Sequence, residues 1–154
     1  MLFRSYKQTD KTKDLFWHDP DGRLFFKSGD MGRIDEDGFI VLLDRKKDMI
    51  ISGGFNVYAA DIEVLLLKHP DIVDVAVIGI PSEQWGESPL ALCVRRDGAT
   101  VTEAEVMAWA NNQLSKTQRL VGVEFRDSLP RSTIGKIMKR ELREPYWAGR
   151  SARI

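Results

Sequence analysis

Beyond about residue 45 this chain alternates strands and helices, which predicts an α/β or α+β sandwich. Three observations carry that expectation. Ile72-Val-Asp-Val-Ala-Val-Ile-Gly-Ile80 is β-branched and long enough for a core strand. Thr102 with Glu105 forms a capping box at the head of an apolar-striped helix. Asp-Gly turns upstream bracket short apolar runs, as in a hairpin.

Taken in order, Arg4 to Asp14 is polar and unpatterned, as a loop or linker would be. Asp21-Gly22 precedes Arg23-Leu-Phe-Phe-Lys27, and Ser28-Gly-Asp30 follows it. Met31 to Asp35, the turn Glu36-Asp-Gly38 and Phe39-Ile-Val-Leu-Leu43 then make one hairpin. Two or three such strands are marginal alone, so this portion reads as part of a larger sheet. Downstream, Met49-Ile-Ile51 and Phe55-Asn-Val57 flank Ser52-Gly-Gly54. Ile62, Leu65 and Leu66 stripe a helix over Ala60 to Lys68 that stops at His69-Pro70. Pro89 to Arg95 is a second core strand, closed by Asp97-Gly98. Val101 staples onto Val106, and Val106, Met107, Ala110 and Leu114 form the face of the capped helix. Val121-Gly-Val-Glu-Phe125 reads as a strand and Lys139 to Glu144 as a short basic helix.

The 154 residues suit one domain, or one with a small appendage. The apolar share of 43% and charged share of 30% exclude a disordered or fibrous chain. Lys plus Arg and Asp plus Glu are 23 each, so no whole-chain field draws in nucleic acid or an anionic membrane. Any bound anion needs a local site. Cys93 is the only cysteine, which forbids an internal disulfide and a thiolate metal cluster; within Leu90-Ala-Leu-Cys-Val94 it reads as a buried, inert thiol. No apolar stretch approaches the ~18–20 residues of a membrane span, and the N-terminus lacks a signal-peptide apolar region. A cytoplasmic protein is expected.

His18 and His69 are far apart and lack zinc-ligand spacing, so no metal site is expected. Gly86-Glu-Ser88-Pro-Leu90 fails as a hydrolase elbow because Leu90 stands where the second glycine belongs. Gly135-Lys136 fails as a triphosphate loop because Pro130 and Ile137 occupy its Gly and Ser/Thr positions. Four signals remain, each with an ordinary structural reading. Pro130-Arg-Ser-Thr-Ile-Gly-Lys136 is a turn before a solvated basic helix, or a mobile loop presenting one ammonium to a phosphate or carboxylate. Ser28-Gly29-Asp30 is a turn aspartate, or a carboxylate accepting both ribose hydroxyls. Asp44-Arg-Lys-Lys-Asp48 is a charged surface loop, and Ser52-Gly53-Gly54 a tight turn that also admits a ligand close to the backbone.

Their order resolves them. Lys27-Ser-Gly-Asp30, Asp44-Arg45, Lys47-Asp48, Ser52-Gly53-Gly54, Glu63 and Pro130 to Lys136 together resemble the C-terminal part of an adenylate-forming acyl-CoA synthetase. Leu43-Asp-Arg-Lys-Lys-Asp-Met-Ile-Ile-Ser-Gly-Gly-Phe-Asn-Val57 is similar almost residue for residue, and Leu129 to Leu142 looks like the family's final motif. The resemblance runs from about Tyr6 to Trp147. It implies an α+β fold: a small C-terminal α/β sandwich with a mixed sheet over 46–154, preceded over 1–45 by a β-hairpin tail of the large N-terminal domain.

What the resemblance implies for function is an enzyme that activates a carboxylic acid with ATP as acyl-AMP and transfers the acyl group to coenzyme A. Asp30 and Arg45 would bind the nucleotide ribose, and Lys47 would be the hinge of the mobile domain. Gly53 and Gly54 would line the CoA channel, and Lys136 would be the catalytic lysine of adenylation. ATP, with Mg, would be bound mainly by the N-terminal domain, whose motifs are not in this sequence, so the segment alone is expected to be inactive. A protein acetyltransferase acting on Lys136 is a further implied partner. Fatty-acyl, medium-chain or aromatic acids are the implied substrates. Ser28 replaces the family's usual Thr and Ile134 its frequent Ser/Thr; Thr117-Gln118-Arg119-Leu120 lacks the lysine usual there. The alternative is a stand-alone, non-catalytic binding or regulatory module of the same fold.

Overall fold

The computed structural model describes residues 9–150, without the side chains of residues 9 and 11. The chain divides into two compact units, Met1–Leu42 and Leu43–Ile154. In the first, α1 (Thr9–Asp14) leads into β1 (Phe16–His18), β2 (Leu24–Phe26), β3 (Asp30–Ile34) and β4 (Ile40–Arg45), the last running through the division. β1 pairs antiparallel with β2, and β3 with β4, so there are two hairpins where the sequence suggests one. The strand β1 is only three residues, too short to show a period. It is made visible by its partner, which sets Phe25 against Trp17 in a tilted contact at 5.5 Å and Phe26 against Phe16 edge-on at 5.9 Å. The polar run expected to be a loop is helical over Thr9–Asp14; one helical turn has no apolar stripe to betray it. Its earlier residues lie outside those described.

The second unit is built on one long hairpin. β7 (Ile72–Ser82) and β8 (Gly86–Arg95) pair antiparallel from Ile72↔Arg95 to Ser82↔Gly86. The other edge of β8 carries β9 (Gly122–Phe125) in parallel at one end and β5 (Ile50–Ser52), itself paired with β6 (Phe55–Val57), at the other. The sheet is therefore mixed. α2 (Ala59–Leu66), α3 (Glu103–Asn111) and α4 (Lys139–Trp147) complete the unit. Val75, Val77, Ala91 and Cys93 join Ile62, Leu66, Val106 and Ala110 in one core cluster. Ala76, Ile78, Leu90 and Leu92 join Leu129, Leu142 and Tyr146 in another. Alternate residues of the hairpin thus point to opposite covered faces, which is why both strands read as continuous apolar runs. Cys93 is buried, and desolvation pushes its thiol up to about 12, with Glu103 adding to the shift.

The capping box forms: the Glu105 amide donates to Thr102 Oγ1 at 3.3 Å and the Thr102 amide to Glu105 Oε2 at 2.8 Å. Helix α3 ends at Asn111, so Leu114 reaches the core from the following turn rather than from the helical stripe. Helix α4 runs past Glu144 and through Pro145 to Trp147. Tertiary bonds hold that extra turn: Tyr146 Oη donates to Glu124 Oε2 at 2.8 Å, and Trp147 Nε1 to the Gly79 carbonyl at 3.0 Å. Among the described residues no helix is long and apolar enough to cross a membrane.

Candidate functional site

The segment Pro130–Met138 forms a miniature hairpin instead of an irregular loop. Arg131 bridges Ile137, the Met138 amide donates to the Pro130 carbonyl at 2.8 Å, and the Ser132 amide to the Lys136 carbonyl at 2.8 Å. Gly135 turns the chain at φ 79, a conformation that a Cβ would strain. Ser132 Oγ accepts from the Lys136 amide at 3.2 Å. Arg131 braces the whole from below, donating to the Gly135 carbonyl at 2.7 Å and to Asp74 Oδ2, on β7, at 2.6 Å. Lys136 therefore projects from a hydrogen-bonded arm, exposed and without a salt bridge among those of the described residues.

Beside this arm lies an open groove of about 690 Å³. Arg45, Lys47, Lys136, Lys139, Arg140 and Arg143 line it, against Asp48, Glu141 and Glu144. The cationic excess suits an anionic ligand, with Arg offering planar forks and Lys a point charge. Lys139 and Arg143 also tie elements together. Lys139 Nζ pairs with Glu63 Oε1 at 2.7 Å, and the same oxygen accepts from the Val77 amide at 2.7 Å. Val77 lies on β7, the outer strand of the sheet, so Glu63 satisfies an edge amide while anchoring α4. Arg143 donates to the Lys47 carbonyl at 2.9 Å, fastening the segment after β4 to α4. Asp44 prepares that segment: Oδ1 accepts from the Arg45 amide at 2.7 Å and Oδ2 from the Ala60 amide at 3.3 Å, serving the α2 N-terminus in place of Tyr58, which makes no side-chain cap.

Gly53 and Gly54 do not line this groove; they form the two-residue turn between β5 and β6, at φ 58 and φ 82. Positive φ at both positions is the type I′ requirement. Gly53 has a second constraint, since a Cβ there would lie 2.6 Å from Trp85 Cε3. Asp30 begins β3 in the first unit, where its amide donates to Ser28 Oγ at 3.2 Å. Thus Arg45, Lys47 and Lys136 share one groove, Gly53 and Gly54 occupy a separate turn, and Asp30 belongs to the other compact unit.

Two residues of this region escape the sequence reading. Trp85 shields Gly53, and its carbonyl accepts the Gly53 amide at 2.8 Å. Glu87 is buried and accepts from the Ile51 amide at 3.1 Å. Burial raises its carboxyl above the ordinary 4.5, opposed by the Ile51 amide and by the charge of Arg143. A charged residue opening an apolar run was the available signal. No group of three or more His, Cys, Asp or Glu among the described residues is disposed to hold a metal.

The second unit thus joins a mixed sheet covered on both faces to a lysine-bearing hairpin and a basic groove beside Arg45-Lys46-Lys47. Residues 61–136 match the AMP-binding enzyme C-terminal domain, and the chain belongs to that family. It is 40% identical over 134 residues to a 2-succinylbenzoate–CoA ligase of Geobacillus kaustophilus, covering 83% of this chain and 27% of that protein. It is 38% identical over 148 residues to the long-chain-fatty-acid–CoA ligase FadD13 of Mycobacterium tuberculosis, covering 96% and 28%. Among solved structures, ATP-bound MatB from Rhodopseudomonas palustris superimposes with a TM-score of 0.80 at 42% identity, covering 93% and 28%. The chain therefore spans little more than a quarter of these relatives' length and matches the C-terminal domain of AMP-forming acyl-CoA ligases.

Proposed function

We propose that this chain is the C-terminal part of an AMP-forming acyl-CoA ligase, with residues 1–45 the tail of the large domain and 46–154 the mobile domain. The observation that carries the reading is the exposed Lys136 on its braced arm, at the edge of a groove shared with Arg45 and Lys47. In adenylation, a carboxylate approaches the α-phosphate of ATP and two anions are crowded together. The Lys136 ammonium would sit between them and stabilise the in-line transition state more than the ground state. Arg45 and Asp30 would bind the ribose. Lys47 would be the hinge about which the domain rotates before coenzyme A enters beside Gly53 and Gly54.

The donors in the groove fit a phosphate-bearing ligand. Magnesium accompanying ATP would be held mainly by the preceding large domain. Fatty, medium-chain or aromatic acids are the proposed substrates and the cytoplasm the proposed site of action. Acetylation of Lys136 by a protein acetyltransferase would erase its charge and switch adenylation off. The stand-alone module is not favoured, because the relatives across this span are ligases.

The test is Lys136→Ala in the full-length ligase. Acyl-adenylate formation should fall by about 10²–10³, as on loss of a preorganised donor. Thioester formation from pre-made acyl-adenylate should be nearly unchanged. The reverse pattern, adenylation spared and thioester formation lost, overturns the assignment.

A further inference from the structure

The β5–β6 hairpin, which bears Gly53 and Gly54, is hung from the main sheet by few bonds. Its backbone pairs with β8 at Ser52↔Gly86. The Gly53 amide adds a bond to the Trp85 carbonyl at 2.8 Å. Continuing that register by one residue sets Ile51 opposite Glu87, where the Ile51 amide is met by the Glu87 side chain, Oε2 at 3.1 Å. A carboxylate thus takes over where the backbone ladder stops.

The site is shaped for that carboxylate. Glu87 is 6% exposed. Gly79, diagonally across β7, leaves the room it occupies: a Cβ there would lie 2.7 Å from Oε2 and 3.2 Å from Cδ. Arg143 acts on Glu87 electrostatically while its own guanidinium holds the Lys47 carbonyl at 2.9 Å. Burying a carboxylate is costly unless its hydrogen bonds are made. An apolar residue here would spare that cost, yet would leave the Ile51 amide without its acceptor.

We propose that Glu87 is a positioning residue for the thiol-transfer step: by splicing the Ser52–Gly54 turn onto β8 it keeps the two glycines at the height at which coenzyme A passes them. This rests on Gly53 and Gly54 being the channel wall. Glu87 reaches no substrate itself; it acts through the turn.

Two measurements test it. In the 154-residue chain, amide exchange at Ile51 should quicken about tenfold in Glu87→Ala, the loss of one hydrogen bond, and stay near wild type in Glu87→Gln, which keeps an acceptor oxygen. Gly79→Ala, which presses on Oε2 without touching its chemistry, should quicken Ile51 in the same direction and covers the case of an unfolded Glu87→Ala. In the full-length ligase, Glu87→Ala should raise the KM for coenzyme A about tenfold, leave acyl-adenylate formation within about twofold, and be rescued by Glu87→Gln. Wild-type protection of Ile51 in Glu87→Ala, or an equal fall in both half-reactions, overturns the proposal. A wild-type ligase that makes acyl-adenylate but no CoA thioester overturns the channel reading instead, and Ile51 exchange still decides the anchoring.

Discussion

The two compact units use the same local vocabulary, short apolar strands punctuated by glycine turns, and reach opposite ends. In the first, none of the described residues is buried, and Trp17, Phe25 and Phe26 keep 44–49% of their surface exposed despite ring contacts across the hairpin. In the second, Ile50, Ile62, Leu66, Leu92 and Val106 are at most 1% exposed. Two-stranded ribbons bury nothing on their own, however apolar their residues. The β7–β8 hairpin becomes a core because helices cover both of its faces. Strand composition supplies the material; a second layer supplies the burial.

The widest separation between the units should come from truncating core against ribbon. Leu92→Ala should cost about 2–5 kcal/mol by denaturant unfolding followed through tryptophan fluorescence, the sum of lost transfer energy and residual cavity. Leu42→Ala, at a position 72% exposed, should stay within about 0.5 kcal/mol. Comparable losses at the two positions would erase the distinction between a packed unit and an open one. A smaller effect belongs to the local signal that does succeed. Thr102→Ala should cost about 1 kcal/mol, the usual worth of an N-cap side chain, in the same unfolding assay. An unchanged midpoint would mean that tertiary packing alone holds α3.

The smallest effect is one of slope. Burial raises the Glu87 carboxyl, so between its ordinary 4.5 and its raised value the folded state binds more protons than the unfolded one. Stability contributed by this group is greatest below that window and falls as the pH rises through it. Glu87→Gln has no such proton to lose, so it should gain on wild type from acid to neutral pH and run parallel above. Parallel curves throughout would show that the Ile51 amide and Arg143 offset burial completely.

By itself the sequence determined whatever depends on a few adjacent residues. The Thr102–Glu105 capping box, the Gly53-Gly54 turn, the α2 stripe and the two apolar runs of the central hairpin all follow from local sterics and periodicity, and all are present. The motif order from Lys27 to Lys136 was legible too, as a resemblance, and with it the family. Three-residue β1, single-turn α1 and the last turn of α4 were not, because elements so short carry no period and exist only through their partners. Nor was the architecture of the site. Asp74 braces Arg131 across 57 residues, Arg143 holds the Lys47 carbonyl across 96, and Glu87 reaches Ile51 across 36. Only the tertiary structure decides such pairs, since which polar group meets which is set by sheet register and by the face on which each helix lands. Neither is written within the few residues over which local preference acts.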